Sequence, residues 1–472
     1  MQITVVGSGY VGLVAGACFA DLGHEVIVVD NDQQKLAALN RGEVPIHENF
    51  LPELLHRHRG TRLRFSDDLQ TAVRASAAIF IAVGTPPTEQ GEADLSYVES
   101  VARAIAAAID SYKIVVEKST VPVYTSDWVR KIIQRNGAEH CEFDVASNPE
   151  FLREGTAVTD FLYPDRIVIG ADTDRCAAVL AEIYAPLVDG TYYQRPDAIP
   201  CPDRAQVPPP LITTSAKSAE LIKHASNAFL AMKISFVNAV ASICESVGAN
   251  VQQVCQGLGT DTRIGSRFLN PGIGYGGSCF PKDLMAFRSV ARECGYDFRL
   301  LDEVIRINED QRQRFIRKVR SALWTLRGKK LGVLGLAFKG GTDDIRESPA
   351  ILLIKSLLQE GCSIRAYDPA AHERAKEELG SSIELAESSY HAAQDADALL
   401  ILTEWEEFAC LDLDRLRSAL KYPIVIDGRN LYDPAAMAAG GFTYYSVGRP
   451  TLTPEPAVPE KPVSPTPRKI AR

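Results

Sequence analysis

Short apolar runs that end in polar or glycine-containing loops recur along the first 150 residues. Residues 2–6 form the first run and 26–29 the second, and the small-residue stretch 13–22 between them predicts a helix. Later runs predict strands at 77–83, 113–117 and 144–147. Strands that alternate with helices are typical of an α/β domain with a parallel sheet. Ligands bind such a sheet outside the carboxyl ends of its strands.

The pattern changes in the middle of the chain and then returns. Residues 188–212 contain six prolines and few strong helix formers, which predicts a surface loop and a domain boundary. A long, largely apolar helix is predicted at about 215–247, and a second α/β unit begins at 329. The strands of this unit are predicted at 330–334, 363–367, 398–402 and 424–426. The last segment, 450–472, contains seven prolines and predicts disorder.

The loop after the first strand, at 7–12, has the sequence Gly-Ser-Gly-Tyr-Val-Gly. It follows a strand, opens a helix and precedes an acidic residue, Asp30, at the end of the second strand, which is the full dinucleotide-binding arrangement. The glycines let a pyrophosphate reach the helix N-terminus, and the carboxylate accepts hydrogen bonds from the ribose. A carboxylate repels a 2′-phosphate, so NAD is favoured over NADP, and Lys35 is placed to help. The alternative is a βαβ turn without a ligand.

Composition and charge narrow the function classes. With 472 residues, 46% of them hydrophobic and 24% charged, the chain has the composition of an ordinary globular protein. A net charge of −9 without a basic stripe argues against a nucleic-acid partner. We recognise no membrane-spanning apolar run and no basic leader, which predicts no membrane insertion and a cytoplasmic location. Ten cysteines without a CxxC pair predict free thiols and no metal site.

One cysteine, Cys279, lies in a segment that core packing does not explain. Four glycines within the six residues 272–277 let the backbone approach a ligand. Pro281 suits the first turn of a helix, so the thiol is predicted near a helix N-terminus, where the dipole and Lys282 favour the thiolate. Asp283 follows four residues after the cysteine, on the same helical face. The alternative is a buried structural cysteine beside a glycine-rich turn.

The long central helix and two strand ends carry further candidates. Lys223 and Asn227 are four residues apart and therefore share a helical face. A lone lysine on such a helix is commonly solvated, but beside an asparagine and a reactive cysteine it is a candidate oxyanion stabiliser. Thr85 and Thr120 follow predicted strands and are placed to contact the cofactor or a catalytic water. Either threonine could instead cap a helix.

Together these segments resemble the UDP-glucose/GDP-mannose dehydrogenase family over about residues 1–448. Besides the loop at 7–12, the resemblance rests on Pro-Glu-Phe-Leu-Arg-Glu-Gly at 149–155, Ser-Ala-Glu-Leu-Ile-Lys-His-Ala-Ser-Asn at 218–227 and Gly-Gly-Ser-Cys-Phe-Pro-Lys-Asp at 276–283. It implies an α/β fold with two Rossmann-like doubly wound domains, joined by a long central helix and a helical dimerisation core.

The resemblance also implies domain boundaries. They are an NAD-binding domain at 1–190, a proline-rich linker at 191–212, a central helical dimerisation domain with the cysteine at 213–325, a UDP-sugar-binding domain at 326–449 and a disordered tail at 450–472.

The activity that the resemblance implies is the oxidation of the C6 alcohol of UDP-glucose to the acid in two NAD-dependent steps. Cys279 is then the nucleophile that forms a thiohemiacetal and later a thioester. Lys223 and Asn227 surround the reacting oxygen, and Glu154 is the acid/base of thioester hydrolysis. Asp283 and Thr120 position the catalytic water. A homodimer or a higher homo-oligomer is implied as well.

Motif and resemblance together assign residues to each ligand. The residues assigned to NAD are Gly7, Gly9, Tyr10, Val11, Gly12, Asp30, Lys35, Thr85, Thr120, Glu154, Lys282 and Arg346. Those assigned to the UDP-sugar are Glu150, Phe151, Leu152, Arg153, Glu154, Lys223, Asn227, Arg263, Phe268, Leu269, Asn270, Pro271, Gly272, Gly276, Lys339 and Arg429. Among these, Arg263 is similar to an arginine that reaches the substrate of a neighbouring subunit.

Two alternatives stay open at this point. The same mechanism on UDP-N-acetylmannosamine or GDP-mannose is one, and a non-catalytic NAD-binding regulatory protein is the other. The joint presence of the cysteine, lysine, asparagine and aspartate argues against the second. The chain also departs from the family in two places: Tyr124 stands where the family usually has glycine, and the proline-rich segment around 190–212 is longer than usual.

Overall fold

The computed structural model describes residues 1–88, 91–137, 141–201 and 207–454. The disorder predicted for 450–472 therefore lies outside the described residues, apart from its first five positions. The described chain forms two β-sheets, with a group of helices between them in sequence. The predicted order of an α/β half, a helical segment and a second α/β half is confirmed.

The first sheet has its strands in the order β3-β2-β1-β4-β5-β6-β7-β8. These strands are β1 (Gln2–Val6), β2 (Glu25–Val29), β3 (Leu63–Ser66), β4 (Ala78–Ile81), β5 (Lys113–Glu117), β6 (Phe143–Ser147), β7 (Ile167–Gly170) and β8 (Leu211–Thr214). The first six run parallel, β7 is antiparallel to β6, and β8 is parallel to β7. The strand order reverses between β1 and β4, which is where a doubly wound sheet binds its ligand.

Helices cover both faces of this sheet. They are α1 (Tyr10–Asp21), α2 (Gln33–Arg41), α3 (Leu51–His58), α4 (Leu69–Ala75), α5 (Ser96–Ala108), α6 (Thr125–Arg135), α7 (Ala157–Leu162) and α8 (Asp174–Val188). Every residue of β4 and of β5 is buried, as expected for central strands packed on both faces. In this core the rings of Phe19 and Phe80 lie 4.8 Å apart between centroids.

The segment 188–212 differs from the surface loop predicted from its prolines. Tyr192, in a 3-10 turn, is fully buried, and its hydroxyl donates a hydrogen bond to Asp21 at 2.8 Å. Ile199 and Cys201 are buried too, and β8 adds a strand to the sheet. The apolar side chains between the prolines therefore attach the described part of this segment to the first half of the protein.

Four helices form the middle of the chain. They are α9 (Ala216–Val247), α10 (Val251–Gly259), α11 (Phe280–Glu293) and α12 (Arg299–Leu323). By length and composition alone α9 could cross a membrane, but it packs against α11, α12 and β7 and buries Glu220, Lys223 and His224. Its exposed apolar side chains share the opposite face and are Leu221, Phe229, Phe236, Ile243 and Val247. We conclude that α9 is a core helix with one uncovered apolar stripe.

The second sheet has the order β11-β10-β9-β12-β13-β14, and all its strands are parallel. Its strands are β9 (Lys330–Leu334), β10 (Ser363–Tyr367), β11 (Glu384–Leu385), β12 (Ala398–Ile401), β13 (Ile424–Asp427) and β14 (Thr443–Ser446). Its helices are α13 (Pro349–Gln359), α14 (His372–Leu379), α15 (Ser389–Ala393), α16 (Glu406–Ala409), α17 (Leu413–Ala419) and α18 (Pro434–Ala439). The order repeats that of the first six strands, so the prediction of two Rossmann-like domains is confirmed.

Candidate active site

The loop between β1 and α1 packs tightly against the protein on one side and has free space on the other. Gly7 has a φ of +103°, and a Cβ there would lie 2.6 Å from the carbonyl oxygen of Ala82. A Cβ at Gly12 would lie 1.9 Å from the carbonyl oxygen of Gly7. At Gly9, the N-cap of α1, a Cβ would meet nothing within 4 Å. This shape fits the close approach of a pyrophosphate to the helix N-terminus.

Asp30 follows β2 and faces the same loop. Its carboxylate accepts hydrogen bonds from the backbone N–H and the hydroxyl of Ser8, at 2.7 and 2.6 Å. Burial alone would raise the pKa of Asp30, but these bonds and Lys35, 3.7 Å away, hold the pKa below its usual value. An ionised carboxylate at this position suits ribose hydroxyls and repels a 2′-phosphate.

Tyr10 joins the first helix to the loop that follows β6. Its hydroxyl donates a hydrogen bond to Glu48 and accepts one from the backbone N–H of Gly155 at 2.7 Å. Burial and the Glu48 carboxylate raise the pKa of this tyrosine. Val11, the next residue, packs against the apolar core of the first sheet. The glycine loop and the segment that carries Glu154 are therefore linked directly.

The carboxyl ends of β4 and β5 meet the first turn of α11. The hydroxyl of Thr85 donates to the carbonyl of Thr120 at 2.9 Å and accepts a hydrogen bond from the ammonium of Lys282 at 3.2 Å. Lys282 also lies 2.9 Å from the carboxylate of Asp283. Neither threonine is the N-cap of the helix that follows it, so the helix-cap alternative is wrong.

Cys279 is the N-cap residue of α11 and lines a cavity. The prediction that this position favours the thiolate is wrong. Burial raises the pKa of Cys279 to about 11, the carboxylates of Glu150 and Asp283 add to the rise, and Lys223 only partly offsets it. Cys279 is exposed at the mouth of the cavity, whereas its sulfur is largely surrounded by protein. The thiol is therefore protonated at neutral pH and needs a base before it can act as a nucleophile.

Lys223 and Asn227 line the cavity of the thiol from α9. The ammonium of Lys223 donates a hydrogen bond to Glu150 Oε1 at 2.8 Å. Burial opposes the charge on Lys223, but Glu150, Asp283 and Cys279 outweigh burial and raise the pKa of the lysine. The amide of Asn227 donates to Asp283 Oδ2 at 2.6 Å. The alternative of a solvated lysine is wrong, and two hydrogen-bond donors are held near the thiol.

Glu154 lies where the two α/β halves and the central helices meet. It accepts hydrogen bonds from the hydroxyls of Ser278 at 3.1 Å and Thr342 at 3.3 Å, and the guanidinium of Arg346 is 3.6 Å away. Burial, followed by the Asp344 carboxylate, raises the pKa of Glu154 to about 7, although Arg346 opposes the rise. A carboxyl with this pKa can accept and donate protons at neutral pH.

Two cavities are lined by ten of the sixteen predicted substrate residues, six in the first and four in the second. The first has a volume of about 610 Å³, and its lining includes Phe151, Leu152, Arg153, Lys223, Asn227, Phe268 and Cys279. The second has a volume of about 540 Å³, and its lining includes Leu269, Asn270, Pro271 and Arg429. Because residues 268 and 269 are consecutive, one loop runs from the cavity of Cys279 to the second α/β half.

The glycines of 272–277 have a role that the sequence did not predict. A Cβ at Gly272 would lie 3.0 Å from the carbonyl oxygen of Gly428, and one at Gly276 would lie 2.1 Å from that of Glu347. These positions therefore admit the backbone of the second α/β half. They hold that half against the segment that ends in Cys279.

Two predicted cations belong to the second half. Arg429 donates a hydrogen bond to the carbonyl of Leu402 at 2.8 Å and lies 3.0 Å from the carboxylate of Glu404. Burial lowers the pKa of Lys339, although the nearby Glu154 acts in the opposite direction. Both cations lie in loops that follow parallel strands, where ligands of such sheets bind.

Arg263 is the predicted substrate residue that the fold leaves apart. It lies in the turn after α10, its side chain is 87% exposed, and it pairs with Asp261 at 2.6 Å. It lines neither of the two cavities described above. Within one chain, Arg263 therefore lies outside the residues that line the cavity of the thiol.

Sequence reasoning missed Ser278 and Thr342, the two hydroxyl partners of Glu154. Ser278 could have been noticed as the neighbour of the cysteine, whereas Thr342 had no signal, because only the folding of the second half brings it near. The reasoning also missed Glu220, whose buried carboxylate accepts the backbone N–H of Tyr124 at 2.8 Å. Tyr124 has a φ of +80°, the left-handed conformation that glycine adopts most easily.

Three family models match the chain. They describe the NAD binding domain of the UDP-glucose/GDP-mannose dehydrogenase family at residues 1–188, its central domain at 217–310 and its UDP binding domain at 332–434. The chain belongs to the UDP-glucose/GDP-mannose dehydrogenase family. NAD is therefore the cofactor of this family member, and a UDP-sugar is its substrate.

Individual relatives align with nearly the whole chain. A UDP-glucose 6-dehydrogenase from Rhizobium meliloti (strain 1021) is 48% identical over 455 residues, which cover 95% of this chain and 100% of that protein. The UDP-glucose 6-dehydrogenase TuaD of Bacillus subtilis (strain 168) is 44% identical over 452 residues, which cover 96% of this chain and 94% of that protein. A solved UDP-glucose dehydrogenase from Pyrobaculum islandicum has a TM-score of 0.84 at 37% identity, covering 95% of this chain and 98% of that chain.

The crevice of the first sheet fits NAD. The open face at Gly9 suits the pyrophosphate, and the ionised Asp30 suits the adenosine ribose. Among the described residues, no group of three or more His, Cys, Asp or Glu side chains could hold a metal ion.

Proposed function

We propose that this chain oxidises the C6 alcohol of UDP-glucose to the carboxylate of UDP-glucuronate, with two NAD consumed for each sugar. One arrangement carries the proposal: Cys279, Lys223 and Asn227 line a single cavity. A nucleophile in such a cavity is what a four-electron oxidation needs and a two-electron dehydrogenase does not. The names of the relatives at 48% and 44% identity support UDP-glucose as the sugar.

Cys279 holds the sugar between the two oxidations. NAD, when bound in the crevice, accepts one hydride in each of them. The sulfur adds to the C6 aldehyde to form a thiohemiacetal, and oxidation of this species leaves a thioester. The ammonium of Lys223 and the amide of Asn227 stabilise the negative oxygen on C6. Each such donor is worth roughly 3 kcal/mol of transition-state stabilisation.

Hydrolysis of the thioester then releases the product. Asp283 Oδ1 is buried beside Lys282 and has no partner in hydrogen-bond geometry among the described residues, so it can accept a bond from water. Thr120 is the second residue that positions this water. Glu154, with a pKa of about 7, accepts the proton of the water as it attacks. The carbon–sulfur bond breaks, the carboxylate product forms, and the sulfur of Cys279 regains its proton from Glu154.

The nucleotide part of the substrate binds along the loop at 268–272 and against the second α/β half. Arg429 lines the cavity at this loop, and the burial of Lys339 supports a role as an anion ligand. Phe151, Leu152 and Arg153 line the sugar end. We propose that the domains have the boundaries predicted from the sequence, with Cys279 in the central domain at 213–325.

We also propose that the chain acts in the cytoplasm as a homodimer or a higher homo-oligomer. The exposed apolar stripe of α9 is the surface that a second copy would cover, because it lies opposite the face that carries Lys223. In an oligomer the exposed Arg263 can reach the substrate of a neighbouring subunit. Light scattering tests this: Phe229→Glu together with Phe236→Glu should produce monomers, whereas a dimer of this variant would contradict the assignment.

A comparison of nucleotide-sugars tests the choice of substrate. The purified protein should reduce NAD with UDP-glucose at a higher kcat/KM than with UDP-N-acetylmannosamine or GDP-mannose. A higher value with either of these would replace UDP-glucose by that sugar. If none of the three produced NADH, the chain would be the non-catalytic alternative.

A further inference from the structure

Cys279 needs a proton acceptor, because its thiol has a pKa of about 11. The two carboxylates that raise this pKa, Glu150 and Asp283, each face a cation, since Lys223 and Lys282 lie 2.8 and 2.9 Å from them. Glu150 accepts a hydrogen bond from Lys223 at 2.8 Å, and Asp283 accepts one from Asn227 at 2.6 Å. Among the described residues, neither carboxylate forms a hydrogen bond with the sulfur. The thiol proton therefore needs another route.

Ser278 provides a hydrogen-bonded route to a third carboxylate. Its hydroxyl oxygen lies 3.6 Å from the sulfur of Cys279, within hydrogen-bond range for sulfur, and donates to Glu154 Oε1 at 3.1 Å. A serine has one hydroxyl proton, which here points to Glu154, so its oxygen is left to accept the S–H. Both hydrogen bonds therefore run in the same direction, from thiol to hydroxyl to carboxylate.

We propose that Ser278 relays the thiol proton of Cys279 to Glu154 while the sulfur adds to the C6 aldehyde. The proposal rests on the proposed function and adds a proton-transfer residue to it. In this step the S–H bond breaks, Ser278 accepts that proton and passes its own to the carboxylate. The sulfur electron pair forms the bond to C6, and the π pair of the aldehyde becomes an oxyanion beside Lys223 and Asn227. The step consumes no oxidant, and Glu154, with a pKa of about 7, releases this proton to solvent before it accepts the proton of the hydrolytic water.

The charges around the two ends of the relay match this role. At the sulfur, Glu150 and Asp283 oppose the thiolate and Lys223 favours it, while the charge of Arg346 also reaches the thiol from the second α/β half. The relay end point, Glu154, has a pKa of about 7.

Asp344, Arg346 and Lys339 face that carboxylate from the second half. Transfer from a thiol of pKa about 11 to such a carboxyl is uphill. The relay therefore acts together with bond formation to carbon and does not store a thiolate. A thiol that stays protonated at rest is protected from oxidation.

Alkylation of Cys279 by iodoacetamide tests the relay without NAD or UDP-glucose, because it also requires loss of the thiol proton. Mass analysis of the peptides gives the rate at Cys279, and the exposed Cys294 and Cys410 provide internal controls. In the wild type the rate should rise as the pH passes about 7 and Glu154 ionises. Ser278→Ala should lower the alkylation rate at pH 8 roughly 10- to 100-fold, which is at or below the smallest rate enhancements typical of general base catalysis. Ser278→Thr should keep most of the rate.

A second variant shows where the proton goes. Glu154→Gln should cause a loss similar to that of Ser278→Ala, and the double variant should lose little more, because both residues serve one route. A wild-type rate and pH profile in Ser278→Ala would overturn the relay. So would a wild-type rate in Glu154→Gln.

The same variants separate the relay from the proposed function. In a single turnover with UDP-glucose, Ser278→Ala should release the first NADH at the wild-type rate and the second more slowly, whereas equal slowing of both would contradict the relay. If the wild type released no NADH while the alkylation results held, the proposed function would fail, and only the proton route from Cys279 through Ser278 to Glu154 would stand. Circular dichroism and thermal unfolding of each variant check that the fold is kept.

Discussion

The ammonium of Lys223 and the carboxylate of Glu150 lie 2.8 Å apart, and both side chains are 5% exposed. This pair joins α9 to the loop after β6 and places the lysine in the cavity of Cys279. Removal of one partner from a buried pair costs about 3–5 kcal/mol, because the other charge is left unpaired. The same contact therefore contributes to stability, and in the proposed mechanism it also positions the lysine that stabilises the oxyanion on C6.

Substitution of Glu150 should destabilise the protein by more than the loss of one hydrogen bond, because it also leaves the buried Lys223 unpaired. We expect Glu150→Gln to lower the free energy of unfolding by about 3 kcal/mol, because the buried ammonium loses its counter-charge. The double variant Glu150→Gln with Lys223→Met should lose less than the sum of the two single variants. Urea unfolding measures all three. Additive losses would show that the two charges do not interact.

The raised pKa of Glu154 predicts a pH-dependent stability. The pKa of this carboxyl rises from 4.5 to about 7 on folding, so its protonated form stabilises the folded state. This contribution to the free energy of unfolding is fully present below about pH 4.5 and is lost as the pH rises through about 7. The wild type should therefore lose stability relative to Glu154→Gln between pH 5 and pH 8. Thermal unfolding of both proteins across this range measures the difference. A constant difference would contradict the assigned pKa.

The fold and the position of Cys279 at a helix N-terminus could be predicted because their signals are local. Apolar runs mark the strands, the glycine loop marks the first βα turn, and Pro281 places Cys279 at a helix N-terminus. The protonation state of the thiol could not be predicted, because its pKa depends on burial and then on the Glu150 carboxylate, which a different part of the chain supplies. The contact between Ser278 and Glu154 spans 124 positions and leaves no pattern in the sequence.

The proline-rich segment shows the same limit for structure. Its prolines indicate a loop, but the burial of Tyr192 depends on a hydrogen bond to Asp21, 171 positions earlier. The strands β3, β7, β8, β11 and β14 were not predicted either.

Tyr124 provides a direct test of backbone strain at a position where the family usually has glycine. With a φ of +80°, a non-glycine residue costs roughly 1–2 kcal/mol in this conformation. Tyr124→Ala keeps the strain and removes the ring, whereas Tyr124→Gly also relieves the strain. We expect the glycine variant to be more stable than the alanine variant by about 1 kcal/mol. The opposite order in urea unfolding would show that the turn is not strained.

Subunit mixing tests whether Arg263 acts on a neighbouring site. Arg263→Ala and Cys279→Ser should each be nearly inactive alone. After unfolding and refolding together, mixed dimers should contain one intact cysteine served by the intact arginine of the other chain. A random mixture should then recover about one quarter of the wild-type activity. Recovery is impossible if the arginine serves the site of its own chain, so an inactive mixture would contradict the assignment.

The number of NADH formed for each UDP-glucose consumed tests the central claim most directly. The covalent route through Cys279 has two hydride transfers, so the wild type should form about two NADH for each sugar, with UDP-glucuronate as the product. Cys279→Ser should lose this complete oxidation while it keeps the fold. A ratio of one in the wild type, with the aldehyde as the product, would contradict the thioester route.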